Sequence, residues 1–193
     1  MSNILFTSDM HLFHPLVTRL RGFGEDIAEH NNQLIKRWHS VVKPDDTVWV
    51  LGDLTCTSKK NVVDDALGII DRLPGTKHFI WGNHDAGHPM HKQAWKEQGK
   101  FLEVFASAQA FAKISVQGKP VLLSHFPYKF DHTNDARYTQ WRLPDEGVTL
   151  LHGHTHASEK VTSSRELHVG LDSWDLTPVS FKTVEDFVLG KPV

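Results

Sequence analysis

Five short blocks of polar, metal-binding residue types each follow closely on an apolar run of this sequence. Asp9-Met10-His11 follows Ile4-Leu5-Phe6, Gly52-Asp53 follows Val48 to Leu51, and Gly82-Asn83-His84-Asp85 follows Phe79-Ile80-Trp81. Ser124-His125 follows Val121-Leu122-Leu123, and Gly153-His154-Thr155-His156 follows Val148 to Leu151. Asp9, His11, Asp53, Asn83, His125, His154 and His156 supply carboxylate or amide oxygen and imidazole nitrogen, the donors that suit divalent transition metals, with no sulfur among them. A single catalytic zinc generally takes about three protein ligands, so this set is too large for one ion. Two ions fit if Asp53 bridges them, its two oxygens holding cations about 3.5–4 Å apart as in-line displacement at phosphorus requires.

Spacing adds detail. In an extended segment, residues i and i+2 share a face, so Asp9 with His11, and His154 with His156, are each expected to point one way and to serve one centre. Gly52, Gly82 and Gly153 suit tight loops beside a ligand. His84 sits between the ligand Asn83 and Asp85. It fits a general acid whose tautomer and charge Asp85 supports.

The elements that must position these residues are legible in part. The apolar runs read as buried strands, and blocks at strand ends gather where open α/β sheets bind ligands. Asp26 with Glu29 resembles a capping box, and Ile27, Leu34, Ile35, Trp38 and Val42 keep helical spacing, predicting a helix over about 26–41. Val62 to Leu73 predicts a second helix, stopped by Pro74-Gly75. From 110 the pattern becomes a hairpin turning at Gln117-Gly118, 126–147 is polar and mixed, 148–152 and 167–171 read as extended, and Val184 to Leu189 as a short helix. The order β-α-β-α-β followed by a strand-rich half predicts paired sheets with helices outside, as a single domain over 1–193. Net charge is −2, which argues against an extended nucleic-acid groove or an anionic membrane surface. No targeting segment or membrane span is read from the sequence, and the lone Cys56 forms no internal disulfide, so a cytoplasmic setting is expected.

Taken together, the five blocks resemble the calcineurin-like metallophosphoesterases, whose pattern is D-x-H, G-D, G-N-H-D/E, H and G-H-x-H. The likeness runs in order over roughly residues 3 to 156, and His168-Val169-Gly170-Leu171-Asp172 is similar to a segment of small bacterial and phage members. The resemblance implies an α/β fold, a four-layer α/β/β/α sandwich around two facing mixed sheets. It implies Asp9, His11 and His156 on one metal, Asn83, His125 and His154 on the other, and Asp53 bridging. The cofactors implied are two divalent transition-metal ions per chain, drawn from Mn, Fe, Zn or Ni. Metal-bound hydroxide is then expected to attack phosphorus, with His84 assisting departure of the alcohol. His14 fits the small-member pattern as a phosphate contact or ligand support. No large insertion separates the motifs, so an open site without a cap is expected. The expected partner is a small phosphodiester, with nucleotide-containing and cyclic nucleotide substrates among the candidates. A phosphomonoesterase or a nuclease on the same site is the alternative, and retention of every ligand argues against a non-enzymatic scaffold.

Other residues carry plainer readings. His30, His39, His78, His88, His91, His132 and His168 are expected to be bystanders and His152 to support the core. Lys129, Arg137 and Arg142, with Tyr128, Tyr138 and Trp141, form either a substrate loop or an ordinary surface loop, with Arg142 as the leading phosphate contact. Cys56 is read as a packing residue, and Trp38, Trp49, Trp81, Trp95 and Trp174 as core or interface fillers.

Overall fold

Alternate residues of the first strand feed two separate cores. Leu5 packs in one buried cluster and Phe6 in another, as a strand covered on both faces requires. The computed structural model of the chain describes residues 3–131, 133, 135 and 137–193, so His132 lies outside the described residues. Its elements run β1 (Ile4–Thr7), α1 (Pro15–Leu20), α2 (Ile27–Val41), β2 (Thr47–Val50), α3 (Lys60–Arg72), β3 (Thr76–Ile80), α4 (Ala94–Leu102), β4 (Ser107–Gln109), β5 (Phe111–Val116) and β6 (Lys119–Ser124). After a 3-10 turn at Thr139–Trp141 come β7 (Thr149–His152), β8 (Val161–Ser163), β9 (Glu166–His168), a second 3-10 turn at Leu171–Ser173, β10 (Val179–Ser180) and α5 (Phe181–Val188).

Two five-stranded sheets result, ordered β10-β1-β2-β3-β4 and β5-β6-β7-β9-β8. In the first, β1 to β4 are parallel and β10 is antiparallel; in the second, β6, β7 and β9 are parallel between antiparallel edges. Leu34 and Trp38 of α2, Val63, Leu67 and Ile70 of α3 and Phe101 of α4 pack with Val48, Val50 and Phe79 on one face of the first sheet. Phe6, Leu51 and Ile80 on its other face meet Val121, Leu123, Leu151 and Leu167 of the second sheet. Helix α5 adds Val184 to that inter-sheet core and packs against β10, β1 and β5. The two facing mixed sheets of the expected sandwich are therefore present.

Local chemistry explains the helix ends and the hairpin. The Asp26 carboxylate accepts the Glu29 amide at 2.9 Å, which starts α2 as the capping pattern predicts. Gln117 and Gly118 both take positive φ, 51° and 76°, the geometry of a two-residue hairpin turn between β5 and β6. Helices α1 and α4 and strands β4, β8 and β10 lie outside the sequence expectation. Trp95 departs from it too: it is 72% exposed rather than in a core, because α4 turns Ala94 and Phe101 inward instead.

Candidate metal centre

The strand-end loops are laced to one another beyond the sheets. After β1, the amides of Asp9, His11 and Leu12 donate to the carbonyls of Gly52, Asp53 and Leu54 at 2.9–3.0 Å. In the second sheet Gly153 N–H donates to His125 O, and Val169 N–H to His152 O. Ser8 pairs with Gly170 across the gap between the sheets, which brings the two sets of loops together. Close approach demands the glycines: a Cβ on Gly52, itself at φ +88°, meets Gly82 N at 2.5 Å, and one on Gly153 meets Asp9 Oδ2 at 2.4 Å.

The backbone here is not extended as the i, i+2 argument assumed. Asp9, His11, Asp53, His154 and His156 take φ of 58°, 46°, 55°, 70° and 51°, the left-handed region that costs an L residue about 1–2 kcal/mol. Side chains two apart are aimed by alternating left-handed residues rather than by a pleat. Such strain collected at candidate ligands is backbone geometry held by the surrounding laces.

All seven sequence-chosen ligands come to this one rim. Nε2 of His11 and Nε2 of His156 lie 3.2 Å apart, and Asp9, His11 and His156 each offer a ligand atom within 4.8 Å of the others. Asp9, Asp53 and His125 form a second such group. His125 Nε2 lies 3.1 Å from Asn83 Oδ1 and 3.4 Å from Asp53 Oδ2, and that same Asp53 oxygen is 3.8 Å from His11 Nε2. Asp9 is common to both groups, and Asp53 stands between His11 and His125. Of the two pairs expected to serve single centres, Asp9 and His11 stay together, but His154 and His156 separate: His156 joins Asp9 and His11, while His154 lies edge-on to His125, with ring centroids 5.2 Å apart.

Electrostatics point to cations. Burial disfavours ionised Asp53, but His125, His11 and His84 around it outweigh that and drive its pKa down. Burial also disfavours the charged ring of His125, yet the adjoining Asp53 carboxylate raises its pKa to about 9. His11 is desolvated down to about 3 despite Asp53 and Asp9 beside it, and its Nδ1 is buried without a hydrogen-bond partner. Two buried carboxylates face imidazole nitrogens that oppose one another at hydrogen-bond distance, a donor set that positive ions complete.

Carboxylates and carbonyls fix the rings from behind, the usual arrangement around metal-ligating histidines. His156 Nδ1 is 2.9 Å from Asp172, His125 Nδ1 donates to Leu51 O at 2.7 Å, and His154 Nε2 is 3.2 Å from Asp131. Arg21 joins Asp172 to the carbonyls of Asp9 and Met10. Asp131 and Arg21 carry no sequence signal, whereas Asp172 ends the tail segment that the resemblance singled out. His91, expected to be a bystander, lies with Nε2 3.0 Å from Asn83 O.

Three role assignments change. Asp85 does not orient His84; its oxygens accept the amides of Asp53, Leu54 and Gly82 at 2.7–3.1 Å. Burial and the Asp53 charge lift its pKa to about 7, against those three bonds. The partner of His84 is instead Cys56, whose Sγ is 3.3 Å from Nδ1, so Cys56 is more than packing. Arg142, expected as the leading phosphate contact, is engaged by described residues of its own loop. Its side chain is 4% exposed and donates to the carbonyls of Pro127, Phe130 and Arg137 and to Asp131, because the 126–147 loop wraps around it. His14 stays at the site: Nδ1 accepts the Val17 amide and caps α1, which leaves the proton of the neutral ring on Nε2.

Two cavities adjoin the cluster, and both are lined by His84 and Cys56. One, about 690 Å³, is bordered by Thr57, Ser58, Asn83, His91 and Gln93. The other, about 1090 Å³, runs past His11, His14 and His156 along α1.

The profile described as "Calcineurin-like phosphoesterase superfamily domain" matches residues 2–171. Gene 66 protein of Mycobacterium phage L5 is 45% identical over 184 residues, covering 90% of this chain and 88% of that protein. An uncharacterised protein of Methanocaldococcus jannaschii is 32% identical over 160 residues, covering 82% and 72%. Among solved structures, a protein of unknown function from Aquifex aeolicus superposes with a TM-score of 0.72 at 25% identity, covering 96% of this chain and 99% of that one.

Proposed function

The chain belongs to the calcineurin-like phosphoesterase superfamily and is a phosphoester hydrolase, and from that premise we propose that it is a dinuclear metal-dependent phosphodiesterase acting on small or nucleotide-containing diesters. The observation that carries this reading is the meeting of Asp9, His11 and His156 on one side of Asp53 with Asn83 and His125 on the other. Asp9, His11 and His156 would hold one ion and Asn83, His125 and His154 the other, with Asp53 serving both. When bound, the ions supply Lewis-acid stabilisation of the phosphoryl oxygens and a nucleophile active at neutral pH. Oxygen and nitrogen donors suit Mn, Fe, Zn or Ni.

The chain's own groups do the rest. His84 Nε2 lies 4.0 Å from Asp53 Oδ2 and its ring is 41% exposed, so it reaches an ester held at the rim and hands its proton to the departing alkoxide. His14 Nε2–H donates to a phosphoryl oxygen. Two cavities meeting at His84 accommodate the two arms of a diester, where a monoester fills one.

Elemental analysis of metal-loaded protein and chelator-sensitive cleavage of bis(4-nitrophenyl) phosphate test the reading. About two ions per chain and loss of turnover with chelator are expected. Asp53→Asn lowers occupancy of both positions. One ion at saturation, or full activity after chelation, rejects it.

A further inference from the structure

The two cavities flanking His84 differ in chemistry as well as size. The smaller presents hydroxyls, amides and a carboxylate from Thr57, Ser58, Gln93 and Glu97. The larger is lined by the apolar Leu16, Val17, Leu20, Phe23, Leu171 and Leu176, together with Arg21, Arg37, Asp172 and Asp175, which pair with one another. Leu16 and Leu20 lie one turn apart on α1, so they share a face. They are 51% and 76% exposed, and both line this cavity beside His14.

Exposed leucines scattered singly call for no explanation, but here they continue without interruption from the metal cluster. His11, His14, His84 and His156 border the same space. Its volume of about 1090 Å³ is just above the range for pockets holding drug-sized molecules, about 300–1,000 Å³. Inorganic phosphate fills only a small part of that. An occupant anchored at the cations by its phosphoryl group therefore extends a bulky group along α1, where burial of apolar surface rewards it.

We infer that the α1 cavity is a specificity site for a large apolar arm of the phosphoester, aromatic or nucleobase-like, while the opposite cavity takes the smaller polar arm. This rests on the phosphodiesterase reading of the metal cluster. Gln33 and Ser158, in the same lining, offer edge contacts that a nucleobase uses and a plain hydrocarbon does not.

One-armed ligands isolate the cavity. Calorimetric titration of manganese-loaded protein with phenylphosphonate and methylphosphonate compares a ligand that reaches α1 with one that does not, without dependence on turnover. Phenylphosphonate is expected to bind about tenfold more tightly. Leu16→Asp and Leu20→Asp, at exposed positions that do not threaten folding, each remove most of that preference and leave methylphosphonate affinity unchanged. Leu102→Asp, equally exposed on α4, preserves the preference. Equal affinities in the unsubstituted protein, or a preference that survives both α1 substitutions, overturns the assignment while leaving the phosphodiesterase reading intact. Absence of binding by either phosphonate overturns both.

Discussion

The Cys56 thiol faces Nδ1 of His84 at 3.3 Å, three residues beyond Asp53. Burial, then the Asp53 charge, pushes the Cys56 pKa up, so at neutral pH the group is a thiol rather than a reactive thiolate. A weak sulfur contact holds the ring on one side, and the main-chain amide of His84, donating to Asp53 Oδ1 at 2.9 Å, anchors its backbone.

Removing that contact is expected to free the ring without disturbing the cations. Cys56→Ala lowers kcat about three- to tenfold, as loss of one modest hydrogen bond of about 1 kcal/mol implies, with KM and metal content unchanged. Cys56→Asp restores a stronger partner and recovers kcat. Loss of bound metal in Cys56→Ala, read by elemental analysis, contradicts a role confined to His84.

His84 itself is expected to act on the leaving group. His84→Ala retains both ions and slows hydrolysis by about 10²–10⁴-fold for diesters with alkoxide leaving groups. With 4-nitrophenolate, which departs without a proton, the loss is much smaller. A leaving-group series distinguishes this from simple charge stabilisation, for which all esters slow alike.

How much of this was legible depends on the range over which each contact acts. The residues of the cluster were readable because their types survive as a pattern in one dimension, and α2 and α3 because Leu34, Trp38, Val63, Leu67 and Ile70 keep a helical period toward one core. Helix α1 was not, because Leu16 and Leu20 face a cavity rather than a core. Adjacency in sequence misled at Asp85, whose carboxylate reaches back 31 and 32 residues to the amides of Leu54 and Asp53. Asp131 reaches His154 across 23 residues, a distance no local spacing rule covers. Basic residues in a polar loop suggested phosphate, but the charge of Arg142 is spent within that loop.

Acid is expected to destabilise the metal-free protein between about pH 6.5 and 4. His30 and His88 are buried, and desolvation, helped by Arg21 at His30 and by His125 at His88, lowers each to about 4. The unfolded rings bind protons below about 6.5, so in this window the unfolded chain carries more protons and acid favours it. Their contribution is complete above pH 6.5 and is lost as pH falls to 4, on the order of 3 kcal/mol each. Asp85, lifted to about 7 in the folded chain, works the opposite way in this window and offsets one of the two rings, while carboxylates held low by ion pairs act only below about pH 4. Urea denaturation in chelator across pH 4–8 reads the slope, and His30→Gln flattens it; stability independent of pH in that window refutes the assignment.

Arg142 separates a scaffold role from a substrate role. Arg142→Met strips Asp131 of one of its buried cationic partners and frees the carbonyls of Pro127, Phe130 and Arg137. Breaking a buried ion pair from one side costs about 3–5 kcal/mol, and Arg137, still 2.8 Å from Asp131, places the expected loss near the lower end. The midpoint of urea denaturation therefore falls, while KM for bis(4-nitrophenyl) phosphate at saturating metal stays within about twofold. A tenfold rise in KM with unchanged stability returns Arg142 to the substrate. Because its guanidinium is enclosed by the loop and only 4% exposed, the stability effect is the one the structure requires.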